Sequence, residues 1–294
     1  MHGFICVNKP PGLTSFDVIR KLKKHLPKVK LGHLGTLDPM ATGVLPVAIG
    51  YATRLIEYIP QETKVYIATM IMGGISDTQD VWGNVTYTGV NNFDASALEN
   101  AINSYTGIIE QIPPMYSAVH HEGHRLYELA RKGIEVDRKS RQVHINSLQL
   151  LEISRNQEGL PLVKIQVECS KGTYVRTLCH DIGQRLGTGA VMSGLIRTRS
   201  GIFTIEDSYG LDIILNNDLS NCLLPLDYPL DALPKVEIAT EQECYSILNG
   251  NSILGNYNCP QGIIKVYYEN KLISIAKYIY QDEKKVIKPL KVLK

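Results

Sequence analysis

The sequence predicts an α+β protein built on a large mixed, mainly antiparallel sheet, followed by a small β-rich C-terminal unit. Three observations carry this. Val163, Ile165, Val167 and Cys169 alternate with Lys164, Gln166 and Glu168, the period of a half-buried strand. Residues 64–72 are instead apolar on both faces, as in a strand at the middle of a sheet. Strands and helices mix without a regular βαβ rhythm, and from about Pro234 the texture changes to short strands.

In chain order, Gly3 to Val7 read as a short buried strand that stops at the turn cluster Lys9-Pro10-Pro11-Gly12. Thr14 then caps a helix, with Asp17 three residues on and Phe16, Ile19, Leu22 and Leu26 as its apolar stripe. A second helix is expected from Ala95 to about Tyr105 behind Asp94, with Leu98, Ile102 and Tyr105 turned inward. Residues 113–145 open with two prolines and run through a His- and Arg-rich stretch, a helix-containing excursion from the main body. After the alternating strand, Ser170-Lys171-Gly172 turn the chain into a helix carrying Val175, Leu178, Ile182 and Leu186, with Gly187 as its stop. Residues 263–268 and 272–280 pair as a hairpin about Glu269-Asn270, and 286–293 add a strand. The expected organisation is therefore 1–232 as the main domain and 233–294 as the small one.

The bulk numbers exclude more than they assign. A 44% hydrophobic and 20% charged chain of 294 residues is an ordinary globular protein. Its net charge of +2 does not announce a polyanion partner, so any such partner must be met locally. Two basic patches exist: Arg20, Lys21, Lys23, Lys24, Lys28 and Lys30, and the tail with Lys284, Lys285, Lys288 and Lys291. Each is either a solvated face or a phosphate-binding one. The six cysteines are scattered with no C-x-x-C pair, so neither a zinc site nor a disulfide framework is expected. No basic segment followed by a long apolar run marks a leader, and no run of about eighteen apolar residues marks a membrane span, which makes the cytoplasm the expected compartment.

The chemistry concentrates in GHLGTLDPMATGVLPVAIGYATRL, residues 32–55. Asp38 is its lone carboxylate, set among Leu37, Met40, Val44 and Leu45. Asp before Pro is a common turn starter. Against that plain role stands the desolvation a lone acid suffers in apolar company unless a cation or several donors answer it. The segment is not a phosphate loop of the Walker kind, because no Gly-Lys-Ser/Thr follows. Arg176, in the first turn of the helix after the alternating strand, is a candidate partner that would favour an ionised, nucleophilic Asp38 and hold it bidentately.

The same segment resembles the signature of the TruB family, the tRNA pseudouridine-55 synthases. VNKPPGLTSFDVI precedes it; KVYIATMIMGGISDTQDVWG, PPMYSAVHHEGHRLYELARKG, KGTYVRTLCHDIG and GAVMSGLIRTRSGIF follow in the family's order, over most of the first 205 residues. The resemblance implies a pseudouridine synthase fold, a PUA-like RNA-binding terminal domain and a tRNA substrate bound through its T arm and T loop. It implies Asp38 as the nucleophile, Arg176 as its ionic partner and Tyr66 as the ring that lies on the target base. His33 belongs to the group that opens the T loop, and Leu195 packs in the site. Tyr174, Lys9, Lys64, Arg125 and Arg131 complete the expected substrate-binding set. The reaction is an isomerisation, so no metal or organic cofactor is implied. No protein partner is required, and the chain is expected to act as a monomer. A guide-RNA-dependent relative and a tRNA-binding folding helper are the alternatives; the segment YSAVHHEGHRLYELAR resembles the tRNA-embracing insertion of the stand-alone form. His120 and His124 stand where lysines are frequent, which weakens phosphate contacts near neutral pH.

Overall fold

The computed structural model describes residues 1–60, 63–90, 92–281 and 284–294. The chain opens with β1 (Gly3–Lys9), nearly all of it buried. Helix α1 (Ser15–His25) begins under a capping box: the Thr14 hydroxyl accepts from the Asp17 amide while the Asp17 carboxylate accepts from the Thr14 amide. Two N–H groups that no helical carbonyl can reach are thereby satisfied. Val18 and Leu22 are fully buried, with Ile19 and Leu26 packed partly against the same core. Phe16, expected in that stripe, is 62% exposed and lies under the Arg20 guanidinium instead. The reason is angular: Phe16 stands about 100° round the helix from Ser15, off the arc that Ser15, Val18 and Leu22 share.

Strands β2 (Leu31–His33) and β3 (Thr42–Ile49) bracket the loop that holds Asp38. Next come β4 (Thr63–Met72), the small hairpin of β5 (Gly74–Ser76) and β6 (Val85–Tyr87), and α2 (Ala95–Asn103), capped by Asp94. Leu98 and Ile102 are buried as expected, while Tyr105 is half-buried beyond the helix end and donates to the Asp181 carbonyl. After β7 (Gly107–Gln111) the chain leaves the sheet, makes the two-residue strands β8 (His120–His121) and β9 (His124–Arg125) and the short helix α3 (Leu126–Ala130). It returns as β10 (Arg141–Arg155). The excursion therefore ends near residue 140; Arg141 to Ile145, expected within it, pair with β7 in the sheet.

β11 (Pro161–Ser170) shows the strict alternation of buried and half-buried residues that its sequence foretold. Helix α4 (Val175–Arg185) is followed by Gly187 in the left-handed region, and then by β12 (Ala190–Ser200), β13 (Phe203–Thr204), β14 (Tyr209–Gly210) and α5 (Leu211–Asn216). The main sheet runs β14-β1-β3-β12-β4-β11-β10-β7, with β2 added to β3 and β13 to β12. Its pairings are antiparallel except β1 with β14 and β3 with β12, so the sheet is mixed and mainly antiparallel.

The C-terminal sheet comprises β15 (Lys235–Glu237), β16 (Ile253–Leu254), β17 (Gly262–Tyr268), β18 (Lys271–Gln281) and β19 (Lys284–Val292), with α6 (Glu241–Leu248) packed on it. Glu269 and Asn270 both take positive φ, the two-residue turn that matches strand twist in a tight hairpin. Ile275 of this sheet and Leu293, just past β19, share a core with Phe4, Phe203 and Leu230 of the main body. Lys291, part of the basic tail, pairs with Glu57 at 2.8 Å, and Arg54 donates to the Val292 carbonyl at 2.8 Å.

Candidate active site

Asp38 lies in the loop between β2 and β3, and that loop is pinned from below at several points. The Ser15 hydroxyl accepts from the Leu37 amide at 2.8 Å and donates to the Leu37 carbonyl at 3.2 Å. Lys9 is fully buried and its ammonium donates to the carbonyls of Pro10, Leu13 and Pro39 at 2.8, 2.7 and 3.2 Å. All three of its hydrogens are committed, so Lys9, expected at the substrate, instead holds the chain on either side of α1 and Asp38 together. Burial lowers its pKa to about 8, partly opposed by the Asp38 charge.

Arg197 does the same from the other side. It is wholly buried, with Nε donating to the Val44 carbonyl at 2.7 Å and the two Nη atoms to the Thr36 and Gly35 carbonyls at 3.2 and 3.1 Å. Its backbone runs so close to Gly43 that a Cβ there would stand 2.2 Å from the Arg197 carbonyl oxygen, at a φ of +97°. Only glycine fits that crossing of β3 and β12.

The ion pair expected between Asp38 and Arg176 is present. Arg176 is the second residue of α4 and almost fully buried. Its Nη2 donates to Asp38 Oδ1 at 3.2 Å, and Nε lies 2.8 Å from Oδ2 with its N–H aimed off the carboxylate. The guanidinium is itself fixed by the carbonyls of Thr78 at 3.1 Å and Tyr116 at 2.9 Å, with Asp80 Oδ2 at 3.5 Å. The Asp38 side chain remains 32% exposed against 5% for Arg176. The carboxylate is thus held on one side and open on the other, which suits a nucleophile or a base.

Leu37, Met40, Tyr66 and Leu195 belong to the apolar cluster around this pair. Tyr66 and Leu195 are 7% exposed, on adjacent strands β4 and β12. Burial raises the Tyr66 phenol pKa, opposed by Arg197. His33 is half-buried at the end of β2; burial and then Arg197 lower its pKa, and Nδ1 has no hydrogen-bond partner among the described residues. Lys64 is half-buried, with burial and then Arg197 lowering its pKa to about 8, and its ammonium lies beside Gly35 in the Asp38 loop. Tyr174 is the N-cap of α4, where the buried Gln111 side chain bonds both its amide and its carbonyl. Arg141 covers its ring at 4.7 Å.

Arg125 and Arg131 are not brought to Asp38. Both are exposed on the excursion, Arg125 leading into α3 and Arg131 stacked over Tyr127. What joins the excursion to the site is the Tyr116 carbonyl at its root. Asp80 and Arg197 went unnoticed in the sequence. The signal for Arg197 was available, because it shares the inward phase of β12 with Leu195. No cluster of three or more metal-ligating side chains occurs among the described residues. No helix among them is long and apolar enough to cross a membrane.

The family description "TruB family pseudouridylate synthase (N terminal domain)" matches residues 23–175, and "tRNA pseudouridylate synthase B C-terminal domain" matches 176–231. A relative from Syntrophomonas wolfei, named tRNA pseudouridine synthase B, is 51% identical over the whole chain and 99% of its own length. Among solved structures, a chain from a Cbf5-Nop10-Gar1 complex matches with a TM-score of 0.71 at 28% identity, covering 99% of this chain and 84% of that one. A chain from an H/ACA RNP bound to a substrate RNA containing 2'-deoxyuridine matches with a TM-score of 0.70 at 26% identity, covering 99% and 85%. By these matches, and with its one open carboxylate on the loop that carries the family's signature, the chain belongs to the TruB family of pseudouridylate synthases.

Proposed function

We propose that the chain isomerises the uridine at position 55 of the tRNA T loop to pseudouridine, with Asp38 as the nucleophile. The observation that carries the reading is a carboxylate gripped by Arg176 on one side and open on the other, in an apolar setting. The reaction exchanges the bond from ribose to a ring nitrogen for one to a ring carbon. No electrons or groups leave, so no metal or organic cofactor is required. A uridine inside a folded loop has to be extruded first, at a cost of a few kcal/mol. Stacking on an aromatic ring such as Tyr66 returns about 1–3 kcal/mol whatever the base.

In this reading Leu195 and His33 bound the pocket, Tyr174 and Lys64 stand at its edge, and Arg125 and Arg131 grip phosphates from the excursion. The C-terminal sheet acts as a PUA-like RNA-binding unit, and the enzyme works as a cytoplasmic monomer. The name shared by the 51% identical relative supports tRNA as substrate. The likeness to chains solved in a Cbf5-Nop10-Gar1 complex and an H/ACA RNP favours a second reading, in which catalysis needs partner proteins and a guide.

Incubation of the purified chain alone with unmodified tRNA transcript, followed by chemical mapping of pseudouridine, separates the two. Product at position 55 without any addition supports the first reading, and no product until partners are supplied supports the second. Asp38→Asn is expected to bind tRNA yet form no product. Wild-type turnover in that variant removes Asp38 from the mechanism.

A further inference from the structure

The loop between β5 and β6 is tied to both β12 and α4 and carries an exposed indole. Gln79 takes a φ of 63° without being glycine, and its carbonyl accepts from the Met192 amide at 3.1 Å. Its side chain accepts from the Thr177 hydroxyl on α4 at 2.8 Å. The Val81 amide donates back to the Met192 carbonyl at 3.0 Å. A Cβ on Gly83 would strike Asp77, Thr78 and Ser76 side-chain oxygens at 2.2–2.6 Å, so the loop closes on itself around a polar knot. Asp80 is the centre: Oδ1 accepts from the Thr78 hydroxyl at 2.8 Å and from the Trp82 amide at 3.0 Å, while Oδ2 lies 3.5 Å from Arg176.

One carboxylate therefore separates the backbone of Trp82 from the guanidinium that holds Asp38. Trp82 is the chain's sole tryptophan and is 57% exposed, on a loop clamped to β12 and α4. An indole offers a large π-face, and sequence-tolerant stacking on such faces is how proteins hold unpaired nucleotides beside a catalytic groove. Mounting it on a rigid loop lowers the ordering cost of that contact.

We propose that Trp82 is a substrate-contact residue, its indole packing against a nucleobase or ribose of the RNA at the rim of the Asp38 site. The proposal rests on the pseudouridine synthase reading, and its test distinguishes the two. Because Trp82 is the only indole, emission excited at the red edge of its absorption reports on this position alone. Titration of the Asp38→Asn protein with unmodified tRNA transcript is expected to change that emission saturably and to protect it from iodide quenching. In an otherwise wild-type chain, Trp82→Ala is expected to lower kcat/KM for tRNA by about tenfold, the size of one base–aromatic stack. Trp82→Phe is expected to recover most of that loss, which a purely structural role would not require. Unchanged emission and iodide access at saturating tRNA, with wild-type kcat/KM in Trp82→Ala, overturn the proposal while leaving pseudouridine formation standing. Emission that depends on protein concentration and not on RNA overturns it too, in favour of self-association. Absence of pseudouridine from the wild-type reaction is the separate failure of the parent reading.

Discussion

Arg176 divides its contacts between backbone carbonyls and carboxylates, and that division decides what a substitution does. Its planar fork meets two carbonyls and two carboxylates at once. Lys carries a point charge of the same sign but cannot fill four directions from one nitrogen. Arg176→Lys is therefore expected to keep tRNA binding within a few fold and lose about a hundredfold in kcat, the scale of a misplaced reacting group. Single-turnover rates against tRNA affinity check this; a kcat within a few fold of wild type sinks Arg176 as the positioning cation. The Asp38–Arg176 pair spans 138 positions, a distance no spacing rule bridges; the start of a helix offered Arg176 only as a candidate, and the family resemblance joined it to Asp38. Asp80 was illegible for a related reason. Its role comes from a guanidinium that arrives from another element, and one of two acids in a polar loop carries no such mark. Lys9, which the resemblance placed in the substrate-binding set, is turned inward by burial, and its ammonium is committed to three backbone carbonyls.

At the scale of elements the sequence was easier to read, since periodicity and caps are local properties. The Thr14–Asp17 box, the alternation of β11, the Glu269-Asn270 hairpin and the Gly187 stop all appear where the residues placed them. Phases were less legible than boundaries, as the outward turn of Phe16 shows. Helix α4 carries a cost that only the structure reveals. Burial raises the Asp181 carboxyl from 3.8 to about 6, and no side-chain hydrogen bond answers it among the described residues. A carboxyl that holds its proton more tightly in the fold than in the unfolded chain loses stability as pH climbs through that interval, and the full cost is present above about 6. Asp181→Asn is accordingly expected to raise stability at pH 7 by about 1–2 kcal/mol after allowance for partial exposure. The gain should fade towards pH 4, where the native carboxyl is already neutral. Thermal melts of both proteins at the two pH values check it, and equal Tm values at pH 7 contradict the assignment.

For the molecule as a whole, the question is whether the C-terminal sheet melts with the catalytic sheet or apart from it. The change of texture near Pro234 suggested a separate small unit, yet its Ile275 and Leu293 share one apolar cluster with Phe4 of β1 and with Phe203. β1 in turn pairs with β3, the strand that leaves the Asp38 loop. Truncating Ile275, which is wholly buried, removes contacts on both sides of the junction; cavities of this kind cost about 2–5 kcal/mol. The polar ties at the rim are worth far less: Lys291 and Glu57 are 35% and 60% exposed, and such pairs contribute about 0–1 kcal/mol. Ile275→Ala is therefore expected to shift a single unfolding transition downward, with hydrogen exchange rising together in β1 and β18, while Lys291→Ala leaves the midpoint nearly in place. Two transitions, of which only one moves in Ile275→Ala, would mean that the small sheet is held by its rim and that the shared core contributes little. A single shifted transition instead makes the stability of the Asp38 loop depend on a residue of the C-terminal sheet.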